Sequence, residues 1–555
     1  MALKGGERLL MRMAHPSPLP MLATRASAVL RGYHLQPLMP FAPRAGPRWT
    51  PLMRAPSTRT SAPRWMIARR TSSSSQASPW DEAHRAAAAF GYAHYVEPDI
   101  LHETATAAAA ATASESERGL NPNWPPPDPV SPGWHLESGF TGFADVRAKA
   151  TGAGVRIAHL DTGYTPAHAS TPKNLDTALA YDFVLGRPGA VDPGGSGLLI
   201  NPGHGTATLA LLAGGEMSLD YQGQGFRGLF GGAPDAAIAP VRIGESVIHL
   251  WTSTLAQGLY WALAPGGDPS QRCDVVSLSH GGLPTRLWAD AVNALYDAGV
   301  VVVAAAGDSI FLELIDIATH FTIYPSAFDR VITALGATYA KTPYKTDVIG
   351  EMQGCWGPDD VMDKALAAYT PNIAWMDYAH PPNGFSMRGR GTSSSTPQIA
   401  AACALWLQLY RAQLPAEPWR RVEACRLALF DSVDRRGDKT ELGWGLLNVP
   451  RLLDADLSAR AIAAAASAQP MPRDAVSFAL WRLLLGQGPP GSAADRMYET
   501  EVAQTVRQSV NPELRAKARL AATIPSTPSD KARAREPLLA EGVSAALEGR
   551  LKETT

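Results

Sequence analysis

Gly391-Thr392-Ser393-Ser394-Ser395-Thr396-Pro397, followed by Gln398-Ile399-Ala400-Ala401-Ala402-Cys403-Ala404-Leu405-Trp406-Leu407, decides how the rest of the chain is read. Gly391 allows a tight backbone path. Serine and threonine favour helix starts, because their oxygens accept the first free N–H groups. Pro397 is expected within the first helical turn, where its missing N–H is not needed. The run behind it is apolar nearly all round, which predicts a buried helix. A buried helix that opens on hydroxyl groups sets one serine under the positive end of the helix dipole, and that suits a nucleophile. A serine cluster before a helix is by itself an ordinary cap, so other segments must decide.

Outward from this stretch, Val155–Leu160 reads as a strand ending at Asp161-Thr162-Gly163. Further strands are expected at Ala236–Ile243, Asp274–Ser279, Val300–Ala306 and Val331–Leu335, with helices at Leu255–Ala264 and Leu287–Ala298. Strands apolar on both faces that alternate with helices predict an α/β fold, with a mainly parallel central sheet covered by helices on both sides. Ligands of such sheets bind beyond the carboxyl ends of the strands. Asp161 and Asp308 both stand at such ends.

The remaining chain divides by composition. Residues 1–80 are rich in Arg, Pro and Ser and hold one acid, Glu7, which predicts a disordered, targeting-like segment. An organelle transit peptide and a start assigned too far upstream both fit, so the compartment is left open. Residues 81–130 join an Ala-rich stretch to a proline-dense linker. Residues 131–455 form the expected catalytic domain, and residues 456–555 a helical extension. The net charge of −1 gives no argument for nucleic acid, and no run of about eighteen apolar residues predicts a membrane span. Cys273, Cys355, Cys403 and Cys425 fit neither a metal motif nor a disulfide framework. No metal or other cofactor is expected. Asp182, Asp192, Asp359 and Asp360 read as scattered structural acids, and the oligomeric state is not legible.

Three segments carry the chemistry. Asp161-Thr162-Gly163 alone is a common turn. Gly203-His204-Gly205-Thr206 opens an apolar helical run, and alone it is an ordinary capping histidine. Gly391-Thr392-Ser393 is the third. The order Asp, His, Ser is one of the known chain orders of a serine–histidine–aspartate triad. An α/β-hydrolase needs Gly-x-Ser-x-Gly at the nucleophile and its histidine last, and neither holds here.

On these motifs the chain, over about Trp134–Leu452, resembles the subtilisin-like serine proteases, the subtilase family. The resemblance implies a serine endopeptidase of three-layer fold that acts on a polypeptide substrate. It assigns Ser393 as nucleophile within Gly-Thr-Ser-x-x-x-Pro, His204 as base and Asp161 as the carboxylate that orients it. Ser279-His280-Gly281 resembles the edge that pairs with substrate backbone. Ala304-Ala305-Ala306-Gly307 resembles the opposite wall of the primary pocket, so Ala305 and Gly307 are expected to line it. His159, His168 and His280 are not expected to act as the base, and His168 reads as a surface residue.

The chain departs from the family at two places. Where most members carry asparagine, Asp308 stands at the oxyanion position. Ionised, it only accepts hydrogen bonds and repels developing negative charge; protonated, it can donate. A catalytically inactive, peptide- or partner-binding domain is the rival reading, and Asp308 is its support. The second departure is N-terminal. The Ala-rich residues 84–118 are too short for a clear propeptide, although Val96-Glu97-Pro98 resembles the end of one.

Overall fold

The computed structural model describes residues 4–13, 32–39, 64–71, 78–89, 93–102, 119–194, 202–247, 249–310, 321–437, 439–474, 492–509, 511, 514 and 535–553. It opens on three strands, β1 (Lys4–Met13), β2 (Tyr33–Pro37) and β3 (Arg64–Arg70), then helix α1 (Pro79–Ala89) and strand β4 (Ala93–His102). These strands pair antiparallel in the order β4-β1-β3-β2. The expectation of disorder over residues 1–80 is therefore corrected at these strands. Their apolar runs are short, Leu9-Leu10-Met11 and Trp65-Met66-Ile67-Ala68, and composition averaged over eighty residues hides them. Each run is nonetheless fully or almost fully buried.

The central sheet follows. Its strands are β5 (Arg156–Asp161), β6 (Tyr181–Asp182), β7 (Arg187–Pro188), β8 (Ala237–Arg242), β9 (Val275–Leu278), β10 (Val301–Ala305), β11 (Ile332–Ala337) and β12 (Ala365–Tyr369). They lie in the order β12-β11-β10-β9-β5-β8-β6-β7. All neighbours are parallel except β6 and β7, which are antiparallel. Five strands match the expected segments to within a residue or two. Sequence reading passed over β12, whose Ala-Leu-Ala-Ala-Tyr is short and lacks β-branched residues.

Burial on both faces shows within single strands. Ala158 and Leu160 join one apolar cluster, while Ile157 joins another. The helices that cover the sheet are α2 (His204–Ala213), α3 (Thr252–Leu263), α4 (Arg286–Asp297) and α5 (Thr392–Tyr410). Helices α3 and α4 pack on the face of Ala158 and Leu160 together with the N-terminal sheet. Helix α5 is buried on the other face with Leu209 and Leu212 of α2.

Helix α5 starts at Thr392, so Pro397 lies beyond the first turn, contrary to expectation. A helical residue 397 would normally donate to the carbonyl of residue 393. That carbonyl is instead satisfied from outside the helix, by Ser279 Oγ at 3.2 Å.

The N-terminal sheet is pinned by buried carboxylates. Glu97 accepts from the backbone N–H groups of Arg286 and Leu287, each at 3.0 Å, at the start of α4. Asp99 accepts from Ser253 N at 2.9 Å and Ser253 Oγ at 2.7 Å, at the start of α3. Both use the free donors and positive end of a helix N-terminus. Helix α6 (Ala493–Gln508), in the C-terminal extension, then bridges the two units. Its Gln504 accepts from Trp80 Nε1 at 2.9 Å and donates to Pro284 O at 2.8 Å. Thr500 accepts from Tyr95 OH at 2.8 Å. Among the described residues, no helix is long and apolar enough to cross a membrane.

Candidate active site

Asp161 is the last residue of β5 and is 1% exposed. His204 is the first residue of α2, 7% exposed, and its Nδ1 lies 2.7 Å from Asp161 Oδ1. The approach depends on Gly205, where a Cβ would come within 1.9 Å of the Gly163 carbonyl oxygen. No side chain fits there, so glycine lets the first turn of α2 rest on the strand end. Thr162 ties the same turn down by accepting from Gly205 N at 3.1 Å. Asp192 accepts from Gly203 N at 2.9 Å and Thr162 Oγ1 at 3.2 Å. A scattered acid in the sequence thus organises the histidine loop.

Asp161 is held from several sides. Thr162 N donates to its Oδ1 at 2.7 Å, and Thr208 Oγ1 to its Oδ2 at 2.9 Å. Burial alone would favour the neutral acid. The fields of His204 and His280 and the His204 hydrogen bond outweigh it and hold the carboxyl well below the usual carboxylate range.

Three adjacent serines open α5, and their surroundings separate them. Ser394 and Ser395 are fully buried, and their hydroxyls donate to Arg390 O at 3.2 Å and Ala368 O at 3.0 Å. Ser393 is partly exposed. Among the described residues its hydroxyl makes no hydrogen bond, and neither does Nε2 of His204. Both atoms are therefore uncommitted, at the N-termini of two helices that pack together.

Asp308 follows the carboxyl end of β10. Its Oδ1 accepts from Thr392 N at 2.8 Å, and its Oδ2 lies 3.3 Å from Thr392 Oγ1. Gly391 makes room for it, since a Cβ there would sit 2.8 Å from Oδ2. Burial pushes the Asp308 carboxyl up to about 6, against the opposing pull of the Thr392 N–H and hydroxyl.

The expected substrate-binding residues fall nearby with differing surroundings. Ser279, His280 and Gly281 continue from the end of β9, and all three are buried. Gly281 packs under the Tyr324 carbonyl, where a Cβ would lie 2.3 Å away. Ala305 is 3% exposed. Gly307 N donates to Thr392 Oγ1 at 3.1 Å, and Gly307 O accepts from Cys355 N at 2.8 Å. His280 turns inward, with Nδ1 4.0 Å from Asp161 Oδ2 and its ring centre 5.5 Å from that of His204. His159 is buried with Nε2 2.9 Å from Thr208 Oγ1. His168, expected at the surface, is 2% exposed; its ring bridges Ser170 Oγ at 2.8 Å and Gly384 O at 2.9 Å. Sequence reading missed Thr208, Thr392 and Trp375, whose ring stands edge-on to His204 at 5.5 Å. Thr392 stands inside the Gly-Thr-Ser motif but was given no role of its own; Thr208 and Trp375 belong to no motif, and only the fold brings them near. The four cysteines are free and buried.

A parallel sheet whose strand ends carry a buried Asp–His pair, beside a helix that opens on an uncommitted serine, has the architecture of a serine hydrolase. Residues 152–445, more than half of the chain, match the subtilase family of peptidases, and the chain belongs to that family of serine-type endopeptidases. Subtilisin DY of Bacillus licheniformis is 28% identical over 301 residues, covering 54% of this chain and 90% of the relative. Subtilisin Savinase of Lederbergia lenta is 33% identical over 307 residues, again 54% and 90%. Among solved structures, fervidolysin from Fervidobacterium pennivorans, described as a keratinolytic enzyme related to subtilisin, superposes with a TM-score of 0.50 at 16% identity. That match covers 81% of this chain and 61% of fervidolysin, and it bears on the fold alone.

Proposed function

We propose that this endopeptidase cleaves polypeptides through Ser393, His204 and Asp161, with Asp308 acting as an oxyanion donor only while protonated. Serine is a weak nucleophile until a base takes its proton. His204 Nε2 takes the Ser393 proton as Oγ attacks the carbonyl carbon, and later gives it to the leaving amine. Asp161 stays ionised, fixes the tautomer through Nδ1–H and stabilises the imidazolium. The backbone N–H of Ser393 supplies one donor to the oxyanion. Asp308 supplies the second: with Oδ1 engaged by Thr392 N–H, a proton on Oδ2 has the place that an asparagine amide would fill.

The observation that carries this reading is the 2.7 Å contact between His204 and Asp161, on a helix packed against the one that opens on the only one of three serines with a free hydroxyl among the described residues. A fluorophosphonate probe tests it. Labelling of the wild type but not of Ser393→Ala is expected. Absence of labelling at any pH between 5 and 8 would favour the inactive, peptide-binding alternative that Asp308 suggests.

We further propose four units: an N-terminal sheet domain (4–102), a connecting segment, a catalytic domain (131–455) and a C-terminal helical extension that holds the first against the third. His102 ends β4 with its Nδ1 3.2 Å from Leu283 N, directly after the Ser279–Gly282 edge. The sheet domain is therefore suited to guard that edge. Mass determination of the mature N-terminus checks whether the chain is cut between residues 102 and 119. An intact chain with full activity would refute a guarding role.

A further inference from the structure

His280 has an unusual environment for a histidine. Its side chain is completely inaccessible to solvent, and both ring nitrogens are buried without a hydrogen-bond partner. Burying an imidazole without partners costs free energy, and such a group calls for a water, an ion or a chemical role. The ring is aimed at the active-site carboxylate: Nδ1 is 4.0 Å from Asp161 Oδ2. One ligand atom each of Asp161, His204 and His280 lies within 4.8 Å of the other two.

We propose that Asp161, His204 and His280 form a latent site for a divalent cation of the zinc class, and that occupancy switches the proteolytic centre off. Two neutral imidazoles and one carboxylate are a ligand set that zinc favours, leaving a fourth position for water. The charge also fits, because the set carries one negative charge before the ion arrives. Zinc–nitrogen and zinc–oxygen bonds of about 2.0–2.2 Å require the ligand atoms to close to about 3.3 Å of one another. From spacings of up to 4.8 Å, the ligand atoms must therefore close by up to about 1.5 Å. Thr208 Oγ1 can keep its bond to Asp161 Oδ2 throughout.

The proton balance is simple. The cation takes the place of the proton on His204 Nδ1; that proton moves to Nε2 through solvent, so the ring stays neutral, no net proton is released and the His204–Asp161 hydrogen bond is lost. Without that bond the imidazole cannot act as an oriented base. The inhibition is therefore reversible on chelation.

The test reads binding separately from proteolysis. Zinc chloride is titrated calorimetrically into the full chain carrying Ser393→Ala, which lacks the nucleophile but keeps all three ligands. One equivalent is expected to bind. Adding His280→Leu should weaken binding at least about 100-fold, more than the loss of an outer-sphere partner costs. His280→Gln serves as a second variant should the leucine protein fail to fold. In the active chain, zinc should inhibit and EDTA should restore the rate. Equal affinity with and without His280, or no zinc binding, overturns the proposal. An inactive zinc-free enzyme would instead overturn the proteolytic reading and leave the binding result readable.

Discussion

Two carboxylates stand at strand ends on either side of this site, and the structure treats them oppositely. Asp161, after β5, meets a backbone N–H, a threonine hydroxyl and a histidine ring, and these hold it ionised despite burial. Asp308, after β10, also meets a backbone N–H and a threonine hydroxyl, yet its carboxyl is pushed up to about 6. Both are drawn out of bulk water, Asp161 fully and Asp308 in part. Three histidines surround Asp161, whereas His204 and Arg390 act on Asp308 only weakly, behind the Thr392 contacts. Identical side chains thus become a fixed anion and a switchable acid through the charges around them. The signs for stability follow. Asp161 contributes stability that is lost only as pH falls below the usual carboxylate range. Asp308 contributes stability that is full below 3.8 and lost as pH rises through about 6.

Breaking the anion should produce the largest effect. Asp161→Asn leaves the shape but removes the charge and favours the wrong histidine tautomer. A fall of about 10⁴ in kcat is expected, the size seen for the equivalent change in another serine protease. Steady-state hydrolysis of a peptide substrate measures it, and a loss under tenfold would mean that Asp161 is not the orienting group. Replacing the switchable acid should act in the other direction. In the wild type, kcat should decline above about pH 6 as Asp308 loses its proton. Asp308→Asn supplies a permanent donor and should raise kcat at pH 8 by up to about 10²–10³, the cost of deleting the corresponding donor in subtilisin itself. The variant should also lose the decline above pH 6. Unchanged rates at both pH 5 and pH 8 would remove Asp308 from the oxyanion site.

The two carboxylates also show how far the sequence could be read. Asp161, His204 and Ser393 lie in short motifs whose order carries meaning, and the apolar strands that hold them are continuous. Asp308 was legible as a residue but not as an acid of particular strength, because its surroundings come from α5, more than eighty positions away. The inward turn of His280 and the contacts of Thr208 depend on how β5, β9 and α2 meet. The N-terminal sheet was illegible for a different reason. Its strands are separated by long basic and proline-rich stretches, and β4 carries Glu97 and Asp99, acids that look solvated until two helix starts are placed against them.

Smaller changes sharpen the contrast by trimming one hydroxyl from each side. Thr208→Val removes the donor to Asp161 Oδ2 and the partner of His159. A hydrogen bond to a charged acceptor is worth about 1.5–3 kcal/mol, so kcat should fall by about 10- to 150-fold. The decline above pH 6 should stay where it is, because Asp308 is untouched.

Thr392→Val is the finest probe, since it keeps the backbone N–H that holds Asp308 Oδ1 and deletes only the hydroxyl near Oδ2. That hydroxyl favours the ionised form, so its removal should move the decline in kcat toward higher pH, by less than about one unit. The hydroxyl also accepts from Gly307 N, and leaving this donor unpaired should cost about 1–3 kcal/mol of stability. The two consequences separate cleanly, because one is read from the midpoint of a pH–rate profile and the other from thermal unfolding. A midpoint that moves toward lower pH, or an unchanged midpoint with the expected loss of stability, would show that the threonine hydroxyl supports the backbone at Gly307 and does not tune the acid beside it.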